Sequence, residues 1–112
     1  MTDAAPDFNR LAGYIGLAVR AGQAVTGEGA CVAAIRAGKA AVAMLDSAAS
    51  ENAVKRFTDA CAHYRVPFVK LPPELMQKAA GKPGRMAMVM APGGLASKVL
   101  ECVGNNMENT KI

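Results

Sequence analysis

The sequence predicts an α/β protein, a three-layer α/β/α sandwich on a four-stranded sheet that is mixed or mostly parallel. The chain has 112 residues, the usual size of one domain, and 52% of them are hydrophobic while only 4% are aromatic. Patterns typical of helices and strands alternate in the order α β α β α β α β α, which favours helices on both faces of one sheet. We expect residues 1–104 to form a single domain and residues 105–112 to form a flexible C-terminal tail.

The first helix is predicted over residues 6–21, where apolar residues recur at helical spacing. Gly13 and Gly16 lower the intrinsic stability of this helix, and we interpret them as a place where a neighbouring element packs closely. An extended segment over residues 23–25 follows. It leads into a second helix over residues 26–38, which begins and ends at glycine-containing turns.

The middle of the chain contains a buried strand and the clearest helix. Residues 40–45 form a continuous apolar run, which is typical of a strand covered on both faces. Residues 46–50 supply the aspartate and serines of a turn and a helix N-cap. The apolar stripe of the third helix has helical spacing and consists of Val54, Phe57, Cys61 and Tyr64.

The last part of the chain is predicted to contain two strands and two helices. Residues 66–69 form a strand, and Pro67 places it at an edge of the sheet or at its own first residues, because proline cannot donate to a ladder. A short helix over residues 72–81 comes next. Residues 86–90 then form the last strand, and residues 94–103 form the last helix.

Charge and cysteine content restrict the class of protein. The net charge of +4 is compatible with binding a polyanion. No apolar stretch reaches the roughly 18 residues needed to span a bilayer and the N-terminus has no basic region, so we expect a cytoplasmic protein that does not contact membranes. The three cysteines, Cys31, Cys61 and Cys102, suit neither a disulfide framework nor a zinc site, which favours a reducing compartment and no bound metal.

Residues 25–30 contain the most suggestive local motif, glycines at a junction between a strand and a helix. The amides at such a helix N-terminus form a site for an anion such as phosphate. As a dinucleotide-binding motif the segment is incomplete, because Gly27 and Gly29 fit the first two glycine positions but Val32 occupies the third. Asp46 ends the next strand, and its separation from the glycines along the sequence suits the acidic residue that binds a ribose hydroxyl in such domains. A nucleotide-binding domain is therefore kept as an alternative.

A second candidate is the loop over residues 78–85, which is shaped by glycine and proline and carries Lys78, Lys82 and Arg85. It is not a Walker A loop, because the upstream glycine is missing and no Ser or Thr follows Lys82. Loops at one end of a sheet lie beside each other. We therefore expect these cations to face the Gly27 junction, unless the loop is only a solvated surface segment.

The sequence lacks the usual catalytic motifs. Its single histidine, His63, lies two residues from Cys61, and on a helix this spacing places the two side chains on different faces. The sequence contains no nucleophile elbow, no His-Glu-x-x-His motif and no close pair of carboxylates. We predict a protein without enzymatic activity, catalytic residues, cofactor or small-molecule substrate.

Several segments, in one consistent order, carry a similarity to a known family: residues 14–22, 25–28, 34–40, 66–68, 78–82 and 94–98. Together they resemble the kink-turn-binding ribosomal protein family of archaeal and eukaryotic large subunits, and in particular its bacterial YlxQ-like branch. The resemblance implies an α/β/α sandwich whose RNA-binding face combines the first strand-to-helix junction, the loop after the second strand and the loop before the last strand. It also implies recognition of a sharp RNA bend with irregular pairs and an extruded base, features that proteins read more readily than regular A-form RNA.

The sequence departs from this family at the residues that read bases. The family has Thr-Asn-Glu followed three residues later by Lys, and these positions are occupied here by Glu28, Gly29, Ala30 and Ala33. Residues 82–85 also replace an apolar loop of the family. Glu28 places a carboxylate where phosphate is expected, although a carboxylate also stabilises a helix N-terminus. Binding is then expected to depend on backbone amides and cations, which position a backbone and discriminate sequence poorly.

The sequence therefore predicts a non-enzymatic, ribosome-associated RNA-binding protein that recognises structured RNA, either a kink-turn or ribosomal RNA. One alternative is a protein-interaction module on the same fold that has lost RNA binding, and the other is the nucleotide-binding domain described above. The oligomeric state is not predicted. The candidate RNA-binding residues are Gly27, Glu28, Gly29, Arg36, Lys39, Lys78, Lys82 and Arg85.

Overall fold

A computed structural model of the chain describes residues 8–81 and 85–103, and in these ranges it contains five helices and four strands in the predicted order. The helices are α1 (Phe8–Arg20), α2 (Glu28–Arg36), α3 (Glu51–Tyr64), α4 (Leu75–Ala80) and α5 (Gly94–Val103). The strands are β1 (Ala24–Thr26), β2 (Val42–Asp46), β3 (Phe68–Leu71) and β4 (Ala87–Met90). The predicted boundaries differ from these by a few residues at most. The predicted tail, residues 105–112, lies outside the described residues.

The four strands form one mixed sheet with the order β1-β4-β2-β3. β2 and β3 pair in parallel, whereas β4 pairs antiparallel with both β1 and β2. The expectation of a mixed sheet is confirmed, and the alternative of a mostly parallel sheet is wrong. β1, β2 and β3 run in one direction, and β4 alone is inserted between β1 and β2 in the opposite direction.

The reversal of β4 follows from the end of the sheet at which the chain enters it. The Asp46 carboxylate accepts a hydrogen bond from the Glu74 amide at 3.0 Å, and the Asp46 amide donates to the Met86 carbonyl at 2.8 Å. Both ends of the connection between β3 and β4 therefore lie beside the end of β2. α4 has only six residues, a rise of about 9 Å, and the chain re-enters the sheet at the end where it left.

Helices cover both faces of the sheet, as the sequence predicts. The core on one face lies between the sheet and α1, α4 and α5, and the core on the other face lies between the sheet and α2 and α3. Successive residues of β2 alternate between these cores, so that Val42 and Met44 belong to the first while Ala43 and Leu45 belong to the second. Every residue of β2 is buried, which explains its continuous apolar run. No described helix is both long and apolar enough to cross a membrane.

Two expectations about packing are only partly confirmed. A Cβ atom on Gly16 would lie 3.2 Å from the Ala79 carbonyl oxygen, so this glycine allows the close approach of α4 to α1, but Gly13 is exposed and nothing lies near it. In the predicted stripe of α3, Phe57 and Cys61 are fully buried, whereas Tyr64 is 43% exposed. Tyr64 is the last residue of α3, and its ring packs edge-on against His63, with 4.7 Å between the ring centres.

Candidate functional site

The junction between β1 and α2 depends on a glycine in a backbone conformation that other residues rarely adopt. Gly27 is the N-cap of α2 and has φ +97° and ψ +134°, a region open to glycine because it has no Cβ atom. Its amide donates to the Ala87 carbonyl at 3.1 Å, and its carbonyl accepts from the Cys31 amide at 2.9 Å. Gly27 therefore fixes the start of α2 against the start of β4.

The first turn of α2 offers backbone amides to a ligand. Among the described residues, no side chain accepts a hydrogen bond at the α2 N-cap, whereas the Ser50 hydroxyl caps α3 by accepting from the Ala53 amide at 3.1 Å. An uncapped helix N-terminus carries a partial positive charge and amides that lack intrahelical partners. The α2 terminus is thus the one of these two that remains available to an anion.

Three chain segments surround a cavity of about 340 Å³ at this helix terminus. They are the β1–α2 junction, the loop after β2 with the first turn of α3, and the segment that precedes β4. The sequence resemblance implies this same combination, and the structure brings the three segments together. We call this the junction cavity, and it is lined by Gly27, Glu28, Leu45, Ala49, Ser50, Ala53, Arg85, Met86 and Ala87.

Glu28 forms an ion pair that the sequence reasoning missed. Its Oε2 atom lies 2.9 Å from Nη1 of Arg56 on α3, and its side chain is 35% exposed. The pair compensates the negative charge that Glu28 places near the proposed phosphate position. It also holds the Arg56 guanidinium beside the junction cavity, although a partly exposed pair of this kind contributes little to stability.

The other candidate residues are distributed over the molecule. Arg85 is exposed and lines the junction cavity, whereas Lys78 is exposed on α4, in the layer on the opposite face of the sheet. Arg36 ends α2 and Lys39 lies just before β2, so both lie at the end of the sheet away from Gly27. Gly29 is exposed in the first turn of α2. Lys82 lies outside the described residues.

Arg36 instead lines a second cavity, of about 450 Å³, between α2 and α3. We call this the α2–α3 groove, and it is lined by Val32, Arg36, Arg56, Asp59, Ala60, His63 and Tyr64. The sequence contains a pattern that predicts this groove. Residues 56, 60 and 63 of α3 follow helical spacing along the face next to the buried stripe, and residues 32 and 36 do the same on α2.

Asp46 has a structural role, which leaves the nucleotide-binding alternative without its ribose ligand. The Asp46 side chain is 1% exposed, and its two carboxylate oxygens accept hydrogen bonds from the Ala48 amide at 2.8 Å and the Glu74 amide at 3.0 Å. These bonds tie the loop after β2 to the loop after β3. Because Asp46 is 1% exposed, a ribose hydroxyl does not reach the remaining acceptor positions of its carboxylate.

Cys31 and Cys61 are unreactive at neutral pH. All three cysteines are buried and form no disulfide, and the Cys31 thiol donates to the Val25 carbonyl at 3.2 Å. Burial raises the pKa of Cys31 and of Cys61 from 9.0 to about 12, so neither supplies a thiolate nucleophile. Within the described ranges, no group of three or more His, Cys, Asp or Glu side chains is placed to hold a metal ion.

The fold and the junction cavity together define a class of protein, the small α/β/α sandwiches with a loop-lined cavity at the carboxyl ends of their parallel strands. No family model matches the chain. It is 33% identical over 87 residues to the RNA-binding protein YlxQ of Bacillus subtilis (strain 168), covering 77% of this chain and 87% of that protein. It is 38% identical over 90 residues to the RNA-binding protein YlxQ of Enterococcus faecium, covering 80% and 86% respectively. The chain therefore belongs to the YlxQ family, which confirms the resemblance seen in its sequence segments.

Two solved structures share this fold. A protein with unknown function from Bacillus halodurans C superimposes with a TM-score of 0.80 at 27% sequence identity, over 84% of this chain and 96% of that chain. The 15.5 kD RNA-binding protein of Giardia lamblia superimposes with a TM-score of 0.75 at 12% identity, over 92% of each chain. The second comparison shows a common fold.

Proposed function

We propose that this chain is a non-enzymatic RNA-binding protein that holds the bent backbone of a structured RNA, such as a kink-turn or a segment of ribosomal RNA, at the junction cavity. The observation that carries the proposal is the meeting of three loops around the uncapped N-terminus of α2, beside Arg85 and Arg56. The names of the two bacterial relatives, both RNA-binding proteins, support the same conclusion.

In this mechanism a phosphate of the bent strand accepts hydrogen bonds from the amides of the first turn of α2. Gly27 provides the backbone conformation, and Gly29 lets the strand approach the helix because it has no side chain. Arg85 and Arg56 neutralise neighbouring phosphates, and Glu28 orients Arg56 through their ion pair. Lys82 is proposed to contact the same RNA, because it lies with Arg85 in the sequence segment 78–85. Lys39 and Lys78 are proposed to add longer-range attraction to the polyanion.

Recognition in this arrangement depends on the shape of the RNA. Amides and guanidinium groups contact phosphates in any sequence, so they select a backbone that bends to reach the helix terminus and the loops together. The positions that read bases in the resembling family are occupied here by Gly29, Ala30 and Ala33, which have no polar side chain. We accordingly propose selectivity for a bent RNA over a straight duplex, with weak preference for particular bases.

The setting that we propose is the cytoplasm, in association with the ribosome. Three buried free thiols are consistent with a reducing compartment. A protein-interaction module is less well supported, because the large apolar side chains exposed in the described ranges, Leu17, Val25 and Tyr64, lie on three different elements.

The test compares binding of a labelled kink-turn RNA and a straight RNA duplex by fluorescence anisotropy over a range of salt concentrations. The wild-type chain is expected to prefer the kink-turn. Arg85→Ala is expected to weaken this binding and to reduce the slope of log affinity against log salt by about 0.7–0.9, the contribution of one phosphate contact. Lys98→Ala is the control, because Lys98 is an exposed cation on α5 in the opposite layer. Failure of the wild-type chain to bind either RNA in dilute buffer would refute the proposal.

A further inference from the structure

The α2–α3 groove combines guanidinium groups with an exposed aromatic ring. Arg36 and Arg56 line it together with His63 and Tyr64. The single carboxylate in the lining, Asp59, is compensated by Lys55, whose Nζ atom lies 3.6 Å from Asp59 Oδ2. Because Arg56 is paired with Glu28, the positive charge excess of the groove comes from Arg36. The groove volume of about 450 Å³ is in the range of ligand-binding clefts.

The ring of Tyr64 is partly exposed and contacts a neighbouring ring. It is 43% exposed, and the His63 ring packs against it at an interplanar angle of 75° with 4.7 Å between ring centres. A partly exposed aromatic ring is a stacking surface for an unpaired base, and stacking on an aromatic side chain is tolerant of base identity. Nothing in the packing of the core requires this ring, because Tyr64 belongs to neither buried cluster.

The groove adjoins the junction cavity through one ion pair. Glu28 lines the junction cavity and Arg56 lines the groove, and 2.9 Å separates their paired atoms. α2 and α3 both begin at the end of the sheet where the junction cavity lies, and both end where Arg36 and Tyr64 lie. A strand that passes from the junction cavity over this ion pair reaches the groove between α2 and α3.

We propose that a single-stranded nucleotide segment flanking the bent RNA continues along the α2–α3 groove, with phosphates beside Arg56 and Arg36 and a base stacked on Tyr64. The inference rests on the proposed function and adds a second tract to its binding surface. Guanidinium groups next to an aromatic platform are the combination that single-stranded nucleic acids require. An acidic peptide would use the two arginines but would gain nothing specific from the ring, so we favour RNA.

The experiment uses the full chain and a blunt kink-turn RNA, together with two extended versions that carry a single-stranded uridine segment of about six nucleotides, one at the 5′ end and one at the 3′ end. The wild-type chain is expected to bind at least one of the extended RNAs more tightly than the blunt RNA. Tyr64→Ala is expected to weaken binding of the extended RNA about tenfold and to leave the blunt RNA unaffected, whereas Tyr64→Phe keeps the ring and the affinity. Arg36→Ala is expected to reduce the salt slope by about 0.7 for the extended RNA alone.

Controls separate the possible results. Lys98→Ala should change neither affinity, and circular dichroism spectra verify that Tyr64→Ala and Arg36→Ala remain folded. If the wild-type chain binds blunt and extended RNA equally, the inference is overturned while the proposed function stands. If it binds neither RNA, the proposed function fails as well. If a polyglutamate peptide binds the wild-type chain and loses affinity in Arg36→Ala while the RNA extension has no effect, the groove is a site for acidic protein segments and the inference is wrong.

Discussion

Two glycines two residues apart at the start of α2 are expected to respond in opposite ways to the same substitution. Gly27 has φ +97°, which an alanine adopts only with strain, whereas Gly29 lies within the helical turn. A Cβ atom at either position would meet no heavy atom within 4 Å. Packing therefore makes no difference between them, and the backbone conformation alone sets the sign of each effect.

The magnitudes follow from these conformations. Gly27→Ala should destabilise the fold by about 1–3 kcal/mol, the cost of holding a non-glycine residue in a glycine-only region. Gly29→Ala should stabilise it by about 0.5–1 kcal/mol, because alanine loses less conformational entropy than glycine in a helix. For a domain of this size each kcal/mol corresponds to a change in Tm of about 4 °C. The two variants should therefore differ clearly in Tm.

The assay is thermal and urea unfolding followed by circular dichroism, with wild type, Gly27→Ala and Gly29→Ala measured in parallel. Gly27→Ala should also bind kink-turn RNA more weakly at temperatures where it is folded, because the amides of the first turn of α2 are displaced. A Gly27→Ala protein as stable as wild type would show that this backbone conformation is not required. A destabilised Gly29→Ala protein would refute the assignment of Gly29 to the helix.

Three further outcomes are expected. Asp46→Ala should lower the free energy of unfolding by about 3 kcal/mol or more in urea titrations, because the Ala48 and Glu74 amides lose their acceptors. Asp46→Asn should lower it by about half as much, since the amide retains one acceptor oxygen. Equal stability of the wild type and both variants would contradict the role of these two hydrogen bonds. The free energy of unfolding should fall as pH rises from about 9 towards about 12, because the Cys31 and Cys61 thiols ionise first in the unfolded chain, and the fall should be smaller in a double alanine variant of these cysteines. The double variant Gly29→Asn, Ala30→Glu should raise the ratio of kink-turn to duplex affinity in filter binding, and an unaltered ratio would argue against a binding pose shared with the resembling family.

Local patterns were sufficient to predict the elements and their layers. The apolar run of β2 predicted a strand covered on both faces, and the serine before α3 predicted its N-cap, because both signals act over a few neighbouring residues. Pro67 predicted that β3 lies at an edge of the sheet or that the proline stands at its start, and in the structure β3 is an edge strand that begins just after Pro67.

Local sequence patterns could not predict the direction of β4. Whether β4 runs parallel or antiparallel depends on where the chain re-enters the sheet, and this is set by hydrogen bonds of Asp46 to residues 28 and 40 positions further along the chain. No local pattern in the segment that forms β4 encodes its neighbours, since a fully buried strand is apolar in either direction.

The candidate site was likewise predicted only in part. Local sequence patterns predicted a glycine-led helix terminus and cations in nearby loops. The packing of the helices on the sheet brings Arg85 to this terminus, places Arg36 in a different groove, and pairs Arg56 with Glu28. The physical reason is that helix starts and turns depend on the conformations of adjacent residues, whereas the grouping of charges depends on how helices pack across a sheet.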